Sequence, residues 1–206
     1  MTKRLVYLVD DDNAVRRAVS FMLRTADYEV ATFKSGNEFV KEADSLSPGC
    51  VLLDVRMPGM DGLEVQRVIS PRNNVLPVVI MTGHGDIAMA VEAMKAGAVD
   101  FLEKPFEKAM LVSALEQGWL RLEKSDRMRL RSSEAAAQLE VLSPRERDVL
   151  NGMVEGLPNK AIAHDLGISP RTVEIHRANV MSKLGVKSLS EALRLAFAAN
   201  DKFETN

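Results

Sequence analysis

With 206 residues, 46% of them hydrophobic and 27% charged, the chain is long enough for one large domain or two ordinary ones and is globular rather than disordered in composition. No apolar stretch approaches the ~20 residues of a membrane span, and residues 1–9 are too short and too soon acidic for a secretory signal. A cytoplasmic protein with no membrane contact is expected. The single cysteine, Cys50, reads as a core thiol, and His84, His164 and His176 are scattered, so neither a disulfide framework nor a zinc site is available. The formal net charge of -2 hides a mildly basic end. From 158 to 194, Lys160, Arg171, Arg177, Lys183, Lys187 and Arg194 face Asp165, Glu174 and Glu191, a local balance of +3.

In chain order, short β-branched runs at 5–9, 29–33, 50–54, 78–82 and 99–103 alternate with amphipathic stretches at 14–25, 37–43, 62–69, 87–96 and 108–122. Five βα units with right-handed crossovers predict an α/β doubly wound parallel five-stranded sheet covered by helices on both faces. Residues 125–140 break the pattern. Val112, Leu115, Trp119 and Leu122 fit two heptads, but Asp126 and Arg129 at the next positions are polar, so a helical extension running into a linker is expected rather than a long coiled coil.

Beyond Val141 only helices are predicted. Ser143, Pro144 and Glu146 make a capping box with proline at the first helical position. A second helix spans roughly 159–166 and stops at Gly167. Ser169 and Pro170 open a third, which runs to Leu184 and stops at Gly185. Ser188 and Glu191 cap a fourth, carrying Leu193, Leu195 and Ala196. The short turn Gly167, Ile168, Ser169 makes the second and third a helix-turn-helix, whose second member enters the major groove.

The ends of the predicted strands carry the chemistry. The first run ends in Asp10, Asp11 and Asp12, the third in Asp54, the fourth in Thr82, and the fifth is followed by Lys104 and Pro105. In an open parallel sheet these carboxyl ends face one crevice. Clustered carboxylates repel one another when partly desolvated, and a divalent cation is the usual remedy; hard oxygen ligands favour Mg²⁺, which keeps waters and accepts phosphate oxygens. Each residue alone has a plain alternative: Thr82 could end a strand, Lys104 could be solvated, and Asp11 or Asp12 could cap a helix. Jointly and in register they point to phosphoryl chemistry.

On these residues, 1–122 resembles the receiver domains of two-component response regulators. The stretch Gly83, His84, Gly85, Asp86 with 88–100 and 103–106 is similar to FixJ-type regulators. Residues 141–200 resemble the LuxR-type DNA-binding domain of the NarL/FixJ subfamily, leaving a helical linker at 123–140 and a tail at 201–206. The resemblance implies a flavodoxin-like fold and a phosphorylated, DNA-binding transcription regulator that is not an enzyme. It implies that Asp54 is the phosphoacceptor and that Asp10 and Asp11 are the acid pair. Asp11, Asp54 and the Arg56 carbonyl would hold Mg²⁺, with Asp12 the weaker ligand candidate. Lys104 and Thr82 would contact phosphoryl oxygens, and Phe101 would be the aromatic switch, lacking here a hydroxyl. Lys104 and Pro105 would join through a cis peptide, and Gly83 and Gly85 would leave their loop free to move. A sensor histidine kinase, double-stranded promoter DNA and RNA polymerase are the implied partners. Phosphorylation would drive homodimerisation through the face at 87–99, with Val91, Lys95 and Val99 as members.

The stretch 169–177 resembles the start of a LuxR-type recognition helix. Glu174, Ile175 and Ala178 are expected to face base edges, whereas Lys160, Arg171, Thr172, Arg177 and Lys183 suit phosphates. Val173 and Val180 fall on the buried side, and His176 could lie on either. Glu174 departs from a simple basic reader, because an acid near phosphates weakens binding unless it accepts from a base such as cytosine N4.

Two other readings are weaker. Asp10 and Asp12 form the acid-x-acid pair of haloacid dehalogenase-type phosphatases, but Ala14 stands where that family wants Thr or Val, and a helix-turn-helix has no place there. A receiver-like module that dimerises without phosphate would have little use for the full set Asp10, Asp11, Asp54, Thr82 and Lys104.

Overall fold

A computed structural model describes residues 4–70, 76–83 and 87–200. The chain divides into two compact units, residues 1–125 and 126–206. In the first, five strands β1 (Arg4–Val9), β2 (Tyr28–Phe33), β3 (Cys50–Asp54), β4 (Val78–Thr82) and β5 (Asp100–Glu103) pair in parallel in the order β2-β1-β3-β4-β5. Helices α1 (Asn13–Arg24), α2 (Gly36–Glu42), α3 (Gly62–Ile69), α4 (Ile87–Lys95) and α5 (Lys108–Leu139) follow the strands in turn.

The strands read as unbroken apolar runs because helices cover both faces, as parallel sheets require. Successive side chains alternate between the two layers. Tyr7, Val9, Val51, Leu53, Val78 and Ile80 join Phe39, Val65 and Ile69 on one side. Val6, Leu8, Cys50, Leu52, Val79 and Met81 join Val19, Leu23, Leu111 and Leu115 on the other. Each fully buried Val, Leu or Ile contributes roughly 1.5–3 kcal/mol, and a register slip would turn both sets to the wrong layer. Register sets the site as well. β1 lies between β2 and β3, so the winding reverses there and the carboxyl ends of β1 and β3 flank the crevice.

Helix α5 is longer than its sequence pattern suggests: it continues past Leu122 to Leu139. No glycine or proline occurs between Gly118 and Pro144, and the Arg, Glu, Ala, Met, Gln and Leu residues there are strong helix formers. The extension expected at 123–140 is therefore helix almost throughout.

The second unit continues with α6 (Pro144–Val154), α7 (Asn159–Leu166), α8 (Pro170–Leu184) and α9 (Leu189–Asn200). The predicted punctuation is present. Ser143 and Glu146 exchange the two bonds of a capping box, and the Ser169 hydroxyl accepts from the Thr172 amide. Gly167 and Gly185 end their helices at φ 65° and 64°, left-handed values that favour glycine. Two small cores hold the bundle, one around Leu142, Leu150, Val180 and Ala196, the other around Val149, Met153, Ile162 and Val173.

Candidate functional site

Asp10 follows β1 directly and is nearly inaccessible, its backbone amide donating to the Phe33 carbonyl at 3.2 Å. Its Oδ1 accepts from the Asp12 amide at 2.8 Å, and its carbonyl accepts from Arg16 at 2.6 Å. Asp12 turns the other way: its carboxylate accepts from the amides of Ala14 and Val15, capping α1. Asp54 closes β3 and is buried. Lys104 follows β5, its amide bonded to the Thr82 carbonyl at 2.7 Å, and the Lys104–Pro105 bond is cis.

The sheet thus brings Lys104 Nζ between two acids, donating to Asp10 Oδ2 and Asp54 Oδ1 at 2.6 Å each. Burial pushes the Asp54 carboxyl above its ordinary range, and the charges of Asp10 and Asp11 add to this against the opposing pull of Lys104. Burial lowers Lys104 in turn, but its hydrogen bonds to Asp10 and Asp54 outweigh that and keep the ammonium charged. Thr82 is fully buried at the end of β4. Asp11 and Arg56 are exposed at the rim, and Phe101 is half-buried against the core of the α3 and α4 side. Among the described residues no three acidic, imidazole or thiol side chains form a ready-made metal cluster. The donors that are present are hard oxygens, and Mg²⁺ needs only one or two carboxylates when water and phosphate complete its shell.

Two contributors were not visible in the sequence. Arg16 holds the Asp10 carbonyl, a contact no spacing rule signals. Gly62, at the start of α3, donates its amide to the Val55 carbonyl at 2.9 Å; a Cβ there would stand 2.3 Å from the Asp54 carbonyl oxygen. Only glycine lets α3 begin this close to the acceptor strand. Gly83 has open space around it, while His84, Gly85 and Asp86 lie outside the described residues, as does the expected tail at 201–206. On α4, Ile87, Val91 and Met94 form an exposed apolar stripe beside Lys95. Val99, expected on that face, instead packs into the opposite core with Leu102 and Leu111, because it continues directly into β5.

In α8 the exposed face carries Arg171, Glu174, Ile175 and Ala178, three or four residues apart, while Val173 and Val180 are fully buried. His176 is half-buried. Lys160 is exposed on α7. Three expected phosphate ligands have internal partners. The Thr172 hydroxyl meets Ser169 at 2.8 Å, Arg177 donates to Asn159 Oδ1 at 2.8 Å, and Lys183 donates to Glu146 Oε2 at 2.7 Å. Lys183 and the Ser143 cap hold the Glu146 carboxyl down at about 2. Lys183 therefore ties α8 to α6, a contact across 37 residues that local sequence does not announce.

Comparison with known proteins agrees with both halves. The family described as response regulator receiver domain matches residues 6–116, and bacterial regulatory proteins of the luxR family match 140–196. The transcriptional regulatory protein FixJ of Bradyrhizobium diazoefficiens is 46% identical over 198 residues, covering 96% of this chain and 97% of that protein. The response regulator protein TmoT of Ectopseudomonas mendocina is 40% identical over 200 residues, covering 97% and 91%. Among solved structures, the response regulator StyR matches at TM-score 0.73 and 42% identity over 95% of this chain and 98% of that one. Full-length FixJ from B. japonicum matches at TM-score 0.61 and 46% identity, covering 98% and 99%. The chain belongs to the FixJ-like two-component response regulators, transcriptional regulators that join a receiver to a LuxR-type DNA-binding domain. This is not a catalytic family. Its receiver implies a histidine kinase partner and its second domain implies DNA, and receivers of this kind bind Mg²⁺ at the phosphorylation site. No helix among the described residues is long and apolar enough to cross a membrane.

Proposed function

We propose that Asp54 accepts a phosphoryl group from a kinase phosphohistidine, and that the phosphorylated chain dimerises and regulates transcription from promoter DNA in the cytoplasm, with RNA polymerase as a further partner. The observation that supports this best is the Lys104 ammonium placed 2.6 Å from both Asp54 and the buried Asp10. An Asp54 oxygen attacks phosphorus in line; the O–P bond forms as the N–P bond breaks, and the imidazole nitrogen leaves with the electron pair. Because the transition state is loose, the protein's task is to position groups and neutralise charge. Lys104 offers a compact charge to one equatorial oxygen, and the Thr82 hydroxyl serves another. Asp10, Asp11, Asp54 and the Arg56 carbonyl are the oxygen donors for Mg²⁺, which when bound supplies further neutralisation.

The added charge biases the region from Thr82 through α4 and Phe101. The stripe of Ile87, Val91 and Met94 on α4 is the proposed dimer face. Two α8 helices brought together would present Glu174, Ile175 and Ala178 to base edges, with Arg171 and Lys160 on phosphates and Thr172, Arg177 and Lys183 in supporting contacts. Footprinting with and without acetyl phosphate tests the chain of events. Protection that strengthens with wild-type protein but not with Asp54→Asn is expected; equal protection in all cases would refute it.

A further inference from the structure

We infer that Arg16 of α1 is a positioning residue for phosphotransfer: its guanidinium closes a ring of hydrogen bonds around the turn between β1 and α1, and that ring holds Asp11 in place to take Mg²⁺. The inference rests on the proposed Mg²⁺ site and adds to it a residue that is not one of the oxygen donors.

Asp10, Asp11 and Asp12 follow one another at the end of β1, and the turn gives each a different task. Asp10 has every polar group engaged. Its amide donates to the Phe33 carbonyl, continuing the ladder between β1 and β2, while its Oδ1 accepts from the Asp12 amide and its Oδ2 from Lys104. β2 ends at Phe33 and Ser35 already caps α2, so the Asp10 carbonyl takes its donor from a side chain, Arg16 Nη1 at 2.6 Å. Asp12 faces α1 instead. Its carboxylate accepts from the Ala14 and Val15 amides, and its carbonyl accepts from the Arg16 amide at 2.9 Å.

These bonds make a closed path. It runs from Asp10 Oδ1 to the Asp12 amide, from the Asp12 carbonyl to the Arg16 amide, and from the half-buried Arg16 guanidinium back to the Asp10 carbonyl. Asp11 is enclosed between the two anchored acids, with its own side chain exposed and its charge acting on Asp54. Groups that orient metal ligands from outside the coordination shell are worth roughly 10–100-fold in metal affinity.

A plain charge effect of Arg16 would have the opposite sign. A cation beside clustered carboxylates repels Mg²⁺, so removing it for that reason alone would tighten metal binding. Loss of the ring loosens Asp11 and weakens binding. Arg17, the exposed neighbour on α1, carries the same charge without the bond to Asp10, and serves as the control.

The test uses full-length protein in wild type, Arg16→Met, Arg16→Gln, Arg16→Lys and Arg17→Met. Calorimetric titration with Mg²⁺ alone, without a phosphodonor, should show affinity falling roughly tenfold in the two neutral Arg16 variants. Arg16→Lys, which keeps a cationic donor, should recover part of the loss, and Arg17→Met should bind as the wild type or more tightly. With acetyl phosphate, the neutral Arg16 variants should need more Mg²⁺ to reach half their maximal rate, while the maximal rate itself changes little. Affinity unchanged or tighter in Arg16→Met and Arg16→Gln would overturn the inference. Amide exchange of the metal-free protein gives a second readout: protection of the Asp12 amide should fall in the neutral Arg16 variants and persist in Arg17→Met, and equal protection in all would also overturn it. If the wild type takes up no Mg²⁺, the proposed metal site itself fails; if it takes up Mg²⁺ and the neutral Arg16 variants match it, the site stands and the role of Arg16 fails.

Discussion

Lys104 Nζ lies 2.6 Å from Asp54 Oδ1 and at the same distance from Asp10 Oδ2, so one ammonium is shared by two buried carboxylates. Burial is the main reason the Asp54 carboxyl is raised even with a cation beside it, and the charges of Asp10 and Asp11 add to the effect.

Replacing Lys104 by Met should leave both acids uncompensated and destabilise the receiver by about 1.5–3 kcal/mol at pH 7. Asp54 is raised in the folded state, so between its ordinary value and its raised one the fold binds more protons than the unfolded chain, and stability falls as pH rises through that interval. The variant should exaggerate this trend, recovering stability as the pH is lowered from 7 toward the ordinary carboxylate range. Urea titrations across that range measure it, and a deficit that does not change with pH would argue against an uncompensated charge.

Gly62→Ala should strain the start of α3, since the new Cβ meets the Asp54 carbonyl oxygen at 2.3 Å. A loss of ~1–3 kcal/mol, as for overpacked cores, and a lower phosphoryl yield are expected. Denaturant midpoints and intact-mass measurement report the two effects. Unchanged stability would mean that α3 can shift away from the acceptor strand.

Glu146 is held at about 2, chiefly by Lys183, well under its ordinary value of 4.5. A depressed carboxyl contributes stability that is present above its unfolded value and lost as pH falls toward the folded one. Protection of the Val149, Leu150 and Val180 amides, measured relative to their intrinsic exchange rates at each pH, should therefore fall between pH 4.5 and about 2 in the wild type. Glu146→Gln should flatten that dependence; a slope that persists would place its origin elsewhere.

Much of this was legible in the sequence and some was not, for physical reasons. Buried parallel strands announce themselves as β-branched runs, so β3 and β4 match their expected bounds, and strand-end residues fall into one crevice by topology alone. The caps at Ser143, Ser169, Gly167 and Gly185 are local backbone chemistry, readable from neighbours. The bonds from Arg16 to Asp10 and from Lys183 to Glu146 depend on how helices pack, and no local pattern encodes them. Val99 misled because the last residue before a short strand looks like the end of a helix face. The reach of α5 was hidden by polar side chains that end a hydrophobic pattern without ending a helix.

On DNA, Arg171 is exposed without an internal partner among the described residues, whereas Lys183 is paired with Glu146. Arg171→Gln should reduce the salt slope of binding by roughly one unit and weaken all sites alike, and Lys183→Gln should change that slope less. Glu174→Lys should re-rank sites by ~1–3 kcal/mol per changed base pair. Titrations over a randomised site library at two salt concentrations separate these effects. A ranking untouched by Glu174→Lys would show that this face of α8 does not read bases.

The decisive observation is where the phosphoryl group goes. Full-length protein incubated with acetyl phosphate and Mg²⁺, digested and analysed by mass spectrometry, should carry one hydroxylamine-sensitive adduct on the peptide containing Asp54. Asp54→Asn should abolish it, and Lys104→Met should leave the site unchanged while lowering the yield. An adduct that survives Asp54→Asn on Asp10 or Asp12 would contradict the assignment of Asp54 as acceptor.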